Sequence, residues 1–186
     1  MIITLEQLLK LDLGGKVIVF ATDTVYGIGC LLNDEVAVQR IYAIKQREAV
    51  KPMAVLCADI AQAVPLVADF RPAEKIAAAH WPGALTIVLP KSERVPAFVT
   101  AGLTSVGIRI PDFPLALAIL RHFGPMAVTS LNLSHEPAIL AWADAMNYAD
   151  VADYLVPGPD LRGVASTVYD PLMKKTLRQG AVVIAE

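Results

Sequence analysis

Charged residues are scarce in this chain: they make up 18% of its 186 residues, against 55% hydrophobic. That balance excludes disorder, because a chain that stays unfolded combines high charge with little apolar matter to bury. Aromatic residues are also few, at 6%, and the net charge is −2. A broad face for single-stranded nucleic acid needs stacked rings along a cationic groove, so this composition argues against one. The two cysteines, Cys30 and Cys57, form no C-x-x-C pair and lie inside apolar runs. They read as reduced core thiols of a cytosolic protein. The three histidines show no paired metal spacing, so a protein-held metal is not expected. The chain has no Walker-type phosphate loop, no dinucleotide-type glycine loop and no hydrolase nucleophile elbow. No apolar stretch approaches the ~20 residues of a membrane-spanning helix. Met1 to Glu6 lacks the basic-then-apolar pattern of a secretory leader. One cytoplasmic domain over residues 1–186 is expected, with no membrane partner.

What is present is concentrated in three motifs: Thr22-Asp23-Thr24-Val25-Tyr26-Gly27, Lys45-Gln46-Arg47 and Ser130-Leu131-Asn132. A lysine and an arginine two residues apart offer phosphate oxygens a point charge and a planar fork. A serine and an asparagine two apart offer a hydroxyl and an amide from one face of an extended segment. Lys45, Arg47, Lys51, Arg109 and Arg178 fall in or beside such segments, while acidic residues such as Asp144, Asp150 and Asp153 lie elsewhere. Cations gathered at one place in a near-neutral protein suit a small anionic ligand. Solvated surface charge is the competing explanation.

The hydrophobic pattern reads as alternating helices and strands. Thr4 to Gln7 is a capping box opening a short helix that Gly14-Gly15 ends. Val17 to Phe20 is a buried strand running into the first motif, and polar residues at the carboxyl end of such a strand are where α/β sheets place ligands. Asn33 or Asp34 caps a second helix, with Val36, Ile41 and Ile44 facing inward, that delivers Lys45 and Arg47. Cations at a helix C-terminus are also favoured by the helix dipole alone. Strands follow at Met53–Cys57, Leu85–Leu89, Val106–Ile110 (edge or terminating), Met126–Thr129, Ser166–Tyr169 and Val182–Ile184. Helices are expected over Pro72–His80, Pro114–His122 and Asp144–Ala149. The expected fold is α/β, with a twisted, mixed, open sheet and flanking helices. Arg109 stands inside an apolar strand, where a guanidinium needs an oxygen-rich partner. A structural ion pair and a ligand carboxylate both satisfy that need. His80 and His122 read as structural, and His135 lies in the loop after Asn132.

Taken in order, seven segments resemble the YrdC-like family of threonylcarbamoyl-AMP synthases, in its short single-domain branch. They are Thr22–Gly29, Lys45–Pro52, Trp81–Thr86, Val106–Pro111, Thr129–Ser134, Ser166–Val168 and Leu177–Gly180. The resemblance implies a sheet around a concave basic cavity. It also implies an enzyme that forms threonylcarbamoyl-AMP and pyrophosphate from ATP, L-threonine and bicarbonate, with Mg²⁺ brought by ATP. By motif matching, Lys45, Arg47, Lys51, Ser130, Asn132 and Arg178 would face ATP, with Lys45 and Arg47 as the catalytic cations. Thr24, Arg109 and Ser166 would hold L-threonine. The product serves tRNA modification, so contact with tRNA and with downstream threonylcarbamoyl transferase proteins is implied. The chain departs from the family's common pattern at Ala21, Ala49, Leu56, Leu131, His135, Ala165 and Pro157–Pro159. Competing readings are a non-catalytic RNA-binding module of the same fold and a related carbamoyl-adenylate enzyme with another substrate.

Overall fold

A computed structural model describes residues 1–46 and 51–184. Among them, nine strands form one open mixed sheet. In chain order they are β1 (Ile18–Ala21), β2 (Tyr26–Leu31), β3 (Ala54–Leu56), β4 (Leu85–Pro90), β5 (Ser105–Arg109), β6 (Met126–Ser130), β7 (Tyr154–Leu155), β8 (Thr167–Asp170) and β9 (Lys175–Arg178). Their spatial order is β7-β1-β2-β6-β3-β5-β4-β8-β9. The helices are α1 (Leu5–Leu8), α2 (Glu35–Ile44), α3 (Ile60–Ala63), α4 (Glu74–His80), α5 (Pro114–Phe123) and α6 (Trp142–Ala145).

Strand alternation sorts the core into two layers. Val19, Ala21, Tyr26, Ile28, Cys30, Val55, Ile87 and Ile108 point to one face and pack with Ala37, Val38 and Ile41 of α2 and Ala77 of α4. Ile18, Phe20, Leu56, Met126 and Val128 point to the other and pack with Leu8, Ala116, Ile119 and Leu120 of α1 and α5. The short helices are set by their caps. Thr4 and Gln7 make the reciprocal capping box of α1, and the Asp34 carboxylate accepts from Ala37 N at 3.0 Å to start α2. Pro114 stands at the first turn of α5 and Gly124, at φ +83°, ends it.

Several boundaries differ from the sequence expectation. Strand β2 is unexpected there, because its two glycines weaken strand propensity. In the structure both face Val128: a Cβ at Gly27 would lie 3.0 Å from Val128 Cγ1, and one at Gly29 would lie 2.8 Å from Cγ2. The valine fills the space the glycines leave. Strand β5 is interior rather than an edge, because β3 and β4 pair on either side of it. Val182–Ile184 is not a strand; β9 takes that place, pairing antiparallel with β8. Val36 points to solvent, and Ala37, Val38, Ile41 and Tyr42 form the inner face of α2. Helix α1 ends at Leu8 and the C-terminal helix is the single turn of α6 followed by a 3-10 turn, Met146–Tyr148. No described helix is long and apolar enough to cross a membrane.

Asp153 ties the two ends of this architecture together. Its Oδ2 accepts from Val17 N at 2.8 Å and from Arg40 Nη1 of α2 at 2.7 Å, and Lys16 Nζ lies 3.6 Å from Oδ1. Burial pushes its pKa up, but the Val17 N–H and the Arg40 hydrogen bond and charge outweigh that and leave the carboxyl below its ordinary value. A carboxylate with a depressed native pKa adds stability above its unfolded pKa, and the addition is lost as pH falls through the native value. We therefore expect Asp153→Asn to cost about 1–2 kcal/mol at pH 7 in urea unfolding. That gap should close as pH falls below about 4. A gap independent of pH would contradict the ionic role.

Candidate functional site

Helices α1 and α5 cover only part of the second sheet face. The register that places Leu56 beside Arg109, Gly107 beside Val88, Thr86 beside Val168 and Gly27 beside Ser130 puts all of these on that same face. There the sheet lines a concave cavity of about 420 Å³, within the range of small-molecule sites. Thr24, Lys51, Arg109, Ser130, Ser166 and Arg178 all line it. Its lining includes no Asp or Glu among the described residues, although the protein as a whole carries a net charge of −2. Three cationic side chains around one concavity suit an anion.

The first wall is the turn between β1 and β2. Thr22 Oγ1 accepts from Thr24 N at 3.2 Å and Val25 N at 3.3 Å and donates to Val25 O at 2.7 Å. This hydroxyl-bridged turn presents Thr24, whose Oγ1 accepts from Arg109 Nη1 at 2.9 Å. Arg109 Nε donates to Gly83 O at 3.0 Å and Nη2 to Asp23 Oδ1 in a buried ion pair. The structural ion-pair reading of Arg109 is thus realised, with Asp23 as its partner. The guanidinium has five N–H groups and these bonds take three, leaving two for a ligand. Burial pushes the Arg109 pKa down, Asp23 pulls it back up, and the charge of Arg178 lowers it further. Both arginines line the same cavity.

The second wall joins three strands. Ser166, just before β8, has its Oγ 2.7 Å from Thr86 Oγ1 of β4. From β9, Arg178 donates to Ser166 O through Nε at 3.1 Å and Nη2 at 2.8 Å, and to Ser166 Oγ at 3.2 Å. Strand β9 is exposed along its length, yet the arginine head is drawn in, and burial pushes its pKa down.

The third wall is the turn after β6. Lys45 ends α2 with 2% exposure, and its ammonium donates to Ser130 O, to Asn132 O at 2.9 Å and to Asn132 Oδ1 at 2.8 Å. These oxygens anchor the ammonium against the turn after β6. Ser130 Oγ in turn donates to Asn132 Oδ1 at 2.7 Å. The family resemblance sets Lys45 and Asn132 toward ATP; the structure joins them to each other and to Ser130 at the turn that carries Ser130. Lys51 does line it, with Nζ 3.5 Å from His135 Nε2. Arg47 and Ala49 lie outside the described residues.

The sequence puts Thr22 and Asp23 in a candidate motif and Thr86 in a family-matching segment, without an individual role for any of them. The first two sit in a motif whose chemistry is visible only when the turn folds. Thr86 shares a strand face with Val88, and that alternation was its signal. No group of three or more His, Cys, Asp or Glu side chains suited to a metal occurs among the described residues. Burial, with Asp34 and Asp59 nearby, pushes the Cys30 and Cys57 thiols up to about 12, which leaves them unreactive.

Comparison with known proteins fits this geometry. The Sua5/YciO/YrdC family model, described as "Telomere recombination", matches residues 11–180. A Pyrococcus abyssi protein named threonylcarbamoyl-AMP synthase is 39% identical over 160 residues, covering 84% of this chain and 47% of that protein. The Bacillus subtilis protein of that name is 40% identical over 158 residues, covering 82% and 46%. The chain thus spans about half the length of these two relatives. The Idiomarina loihiensis protein of the same name is 32% identical over 172 residues, covering 89% and 92%. Among solved structures, P. abyssi Sua5 complexed with L-threonine superposes with a TM-score of 0.90 at 33% identity, covering 97% of this chain and 57% of that one. Escherichia coli YciO superposes at 0.81 with 26% identity, covering 95% and 89%.

Removing one partner of a buried ion pair leaves the other charge uncompensated. Asp23→Ala should therefore destabilise the protein by about 3–5 kcal/mol in denaturant unfolding. A loss below about 1 kcal/mol would show that Arg109 does not depend on Asp23.

Proposed function

The chain belongs to the Sua5/YciO/YrdC family, and we propose that it is a threonylcarbamoyl-AMP synthase, making L-threonylcarbamoyladenylate and pyrophosphate from ATP, L-threonine and bicarbonate. The observation that carries this reading is the cavity: one concavity, with no carboxylate among its described lining residues, that gathers Arg109, Arg178 and Lys51 with the hydroxyls of Thr24, Ser130 and Ser166. The named relatives support it.

In this reaction the threonine amine takes up bicarbonate carbon with loss of water, giving an N-carboxylate. One oxygen of that carboxylate bonds to the α-phosphorus of ATP. The bond from that phosphorus to the bridging oxygen breaks, and pyrophosphate leaves with the electron pair. No covalent enzyme intermediate is needed, so the protein's task is to align two anions and neutralise developing charge. Arg109 offers its two remaining N–H groups to the threonine carboxylate, supported by Thr24 and Ser166. Lys51, Ser130 and Arg178 face the nucleotide. Arg47 joins them on the strength of its place in the Lys45-x-Arg47 motif. Lys45 and Asn132 act by holding the Ser130 turn. The described donors of the cavity are hydroxyls and cations, and Asp23 is tied to Arg109, so the described residues form no cage for Mg²⁺; the ion enters as part of the magnesium complex of ATP. The labile product then passes, in the cytoplasm, to transferase proteins that modify tRNA.

Pyrophosphate release from Mg-ATP should require both L-threonine and bicarbonate, each omitted in turn. Release that is indifferent to threonine would overturn the assignment. At residue level, Arg109→Lys keeps the charge but loses the planar fork. It should raise the KM for threonine on the order of tenfold or more while the Kd for ATP changes little. The reverse pattern would move Arg109 to the nucleotide side.

A further inference from the structure

Thr86 is 4% exposed and lines the cavity, yet nothing above gives it a task. Its hydroxyl has one hydrogen-bond partner among the described residues, Ser166 Oγ at 2.7 Å. A hydroxyl brings one proton and two acceptor lone pairs. Ser166 Oγ already accepts from Arg178 Nη2, and the two further bonds from Arg178 to Ser166 O hold that side chain in place. Thr86 and Ser166 thus bring two protons to one shared hydrogen bond, and one proton is left over. The neighbouring cation decides which. The Ser166 end lies beside Arg178, whose positive field favours an anionic ligand oxygen there; in the proposed reading that oxygen belongs to the threonine carboxylate, while Arg178 keeps its Nη1 groups for the nucleotide. The consistent chain is then Thr86 O–H donating to Ser166 Oγ, Ser166 accepting from Thr86 and Arg178, and the Ser166 proton pointing at the ligand. Each donor in such a chain polarises the next. Gly107 keeps the space for it: a Cβ there would lie 2.9 Å from Thr86 Cγ2.

We propose that Thr86 is a positioning residue for the amino-acid substrate: it donates to Ser166 and so turns the Ser166 hydroxyl proton toward the bound ligand. This rests on the reading of Ser166 as a threonine contact.

The test is a double-mutant cycle of Thr86→Val and Ser166→Ala, reading the KM for L-threonine, the kcat and the Kd for ATP. Thr86→Val removes the hydroxyl at nearly constant volume. It should raise the threonine KM roughly three- to tenfold, with the ATP Kd within about twofold of the parent. In the Ser166→Ala background the same change should have no further effect, because the proton it directs is gone. Thr86→Ser, which keeps the hydroxyl, should restore the parent KM to within about twofold. A Thr86→Val penalty of equal size in both backgrounds overturns the proposal, as does an equal rise in ATP Kd or a failure of serine to rescue. Thr86→Ala carries the same cycle if the valine variant is insoluble. A parent protein that turns over ATP without any threonine dependence refutes the synthase reading itself. A threonine-dependent parent with an additive cycle refutes only the role of Thr86.

Discussion

The buried charge of Arg109 is the constraint around which the site is arranged. A guanidinium taken out of water must recover its solvation from protein oxygens. Here they come from three places distant in sequence: Asp23 and Thr24 after β1, and Gly83 before β4. Satisfying one side chain therefore fixes the relation of two loops to strand β5. Such a pair is seldom the most stabilising use of a buried volume, since desolvation offsets much of its attraction. Its presence makes sense if two of the five N–H groups are kept for something that arrives later.

The same logic holds at the other walls. Each candidate ligand group is itself held by a side chain outside its own turn. Lys45 holds the Ser130 turn, Arg178 and Thr86 hold Ser166, and Arg109 holds Thr24. The glycines on the concave face make the converse contribution. Gly27 and Gly107 line the cavity because no side chain fits there: Val128 and Thr86 already occupy the adjoining space. The hollow is thus built by omission in the strands and by cross-bracing at their ends.

Much of this was legible in the sequence where the signal is local. Apolar runs marked β1, β3, β4 and β6, caps and proline marked α1, α2 and α5, and the ordered motifs pointed to the family. What escaped depends on neighbours distant in the chain. Strand β2 reads as a turn until Val128 supplies the bulk its glycines lack. Val106–Ile110 reads as an edge until β3 and β4 flank it. The two-residue spacing of Lys45 and Arg47 suggests a phosphate clamp, and spacing cannot show that the Lys45 ammonium also meets oxygens of the Ser130–Asn132 turn. Arg109 announced its need for a partner, and Asp23 could be named only once the chain had folded back on itself.

Strand β9 lies at the margin of the sheet, paired on one side only and exposed at all four residues. Marginal strands are the first to open in a folded protein, at a fraction of the free energy needed to unfold the whole. Arg178 sits at the end of this strand, and its head contributes to both the charge of the cavity and the placement of Ser166. Opening of the β8–β9 hairpin would therefore withdraw Arg178 from the cavity and release Ser166 at the same time. A protein that is thermally robust as a whole can still hold its pocket half assembled.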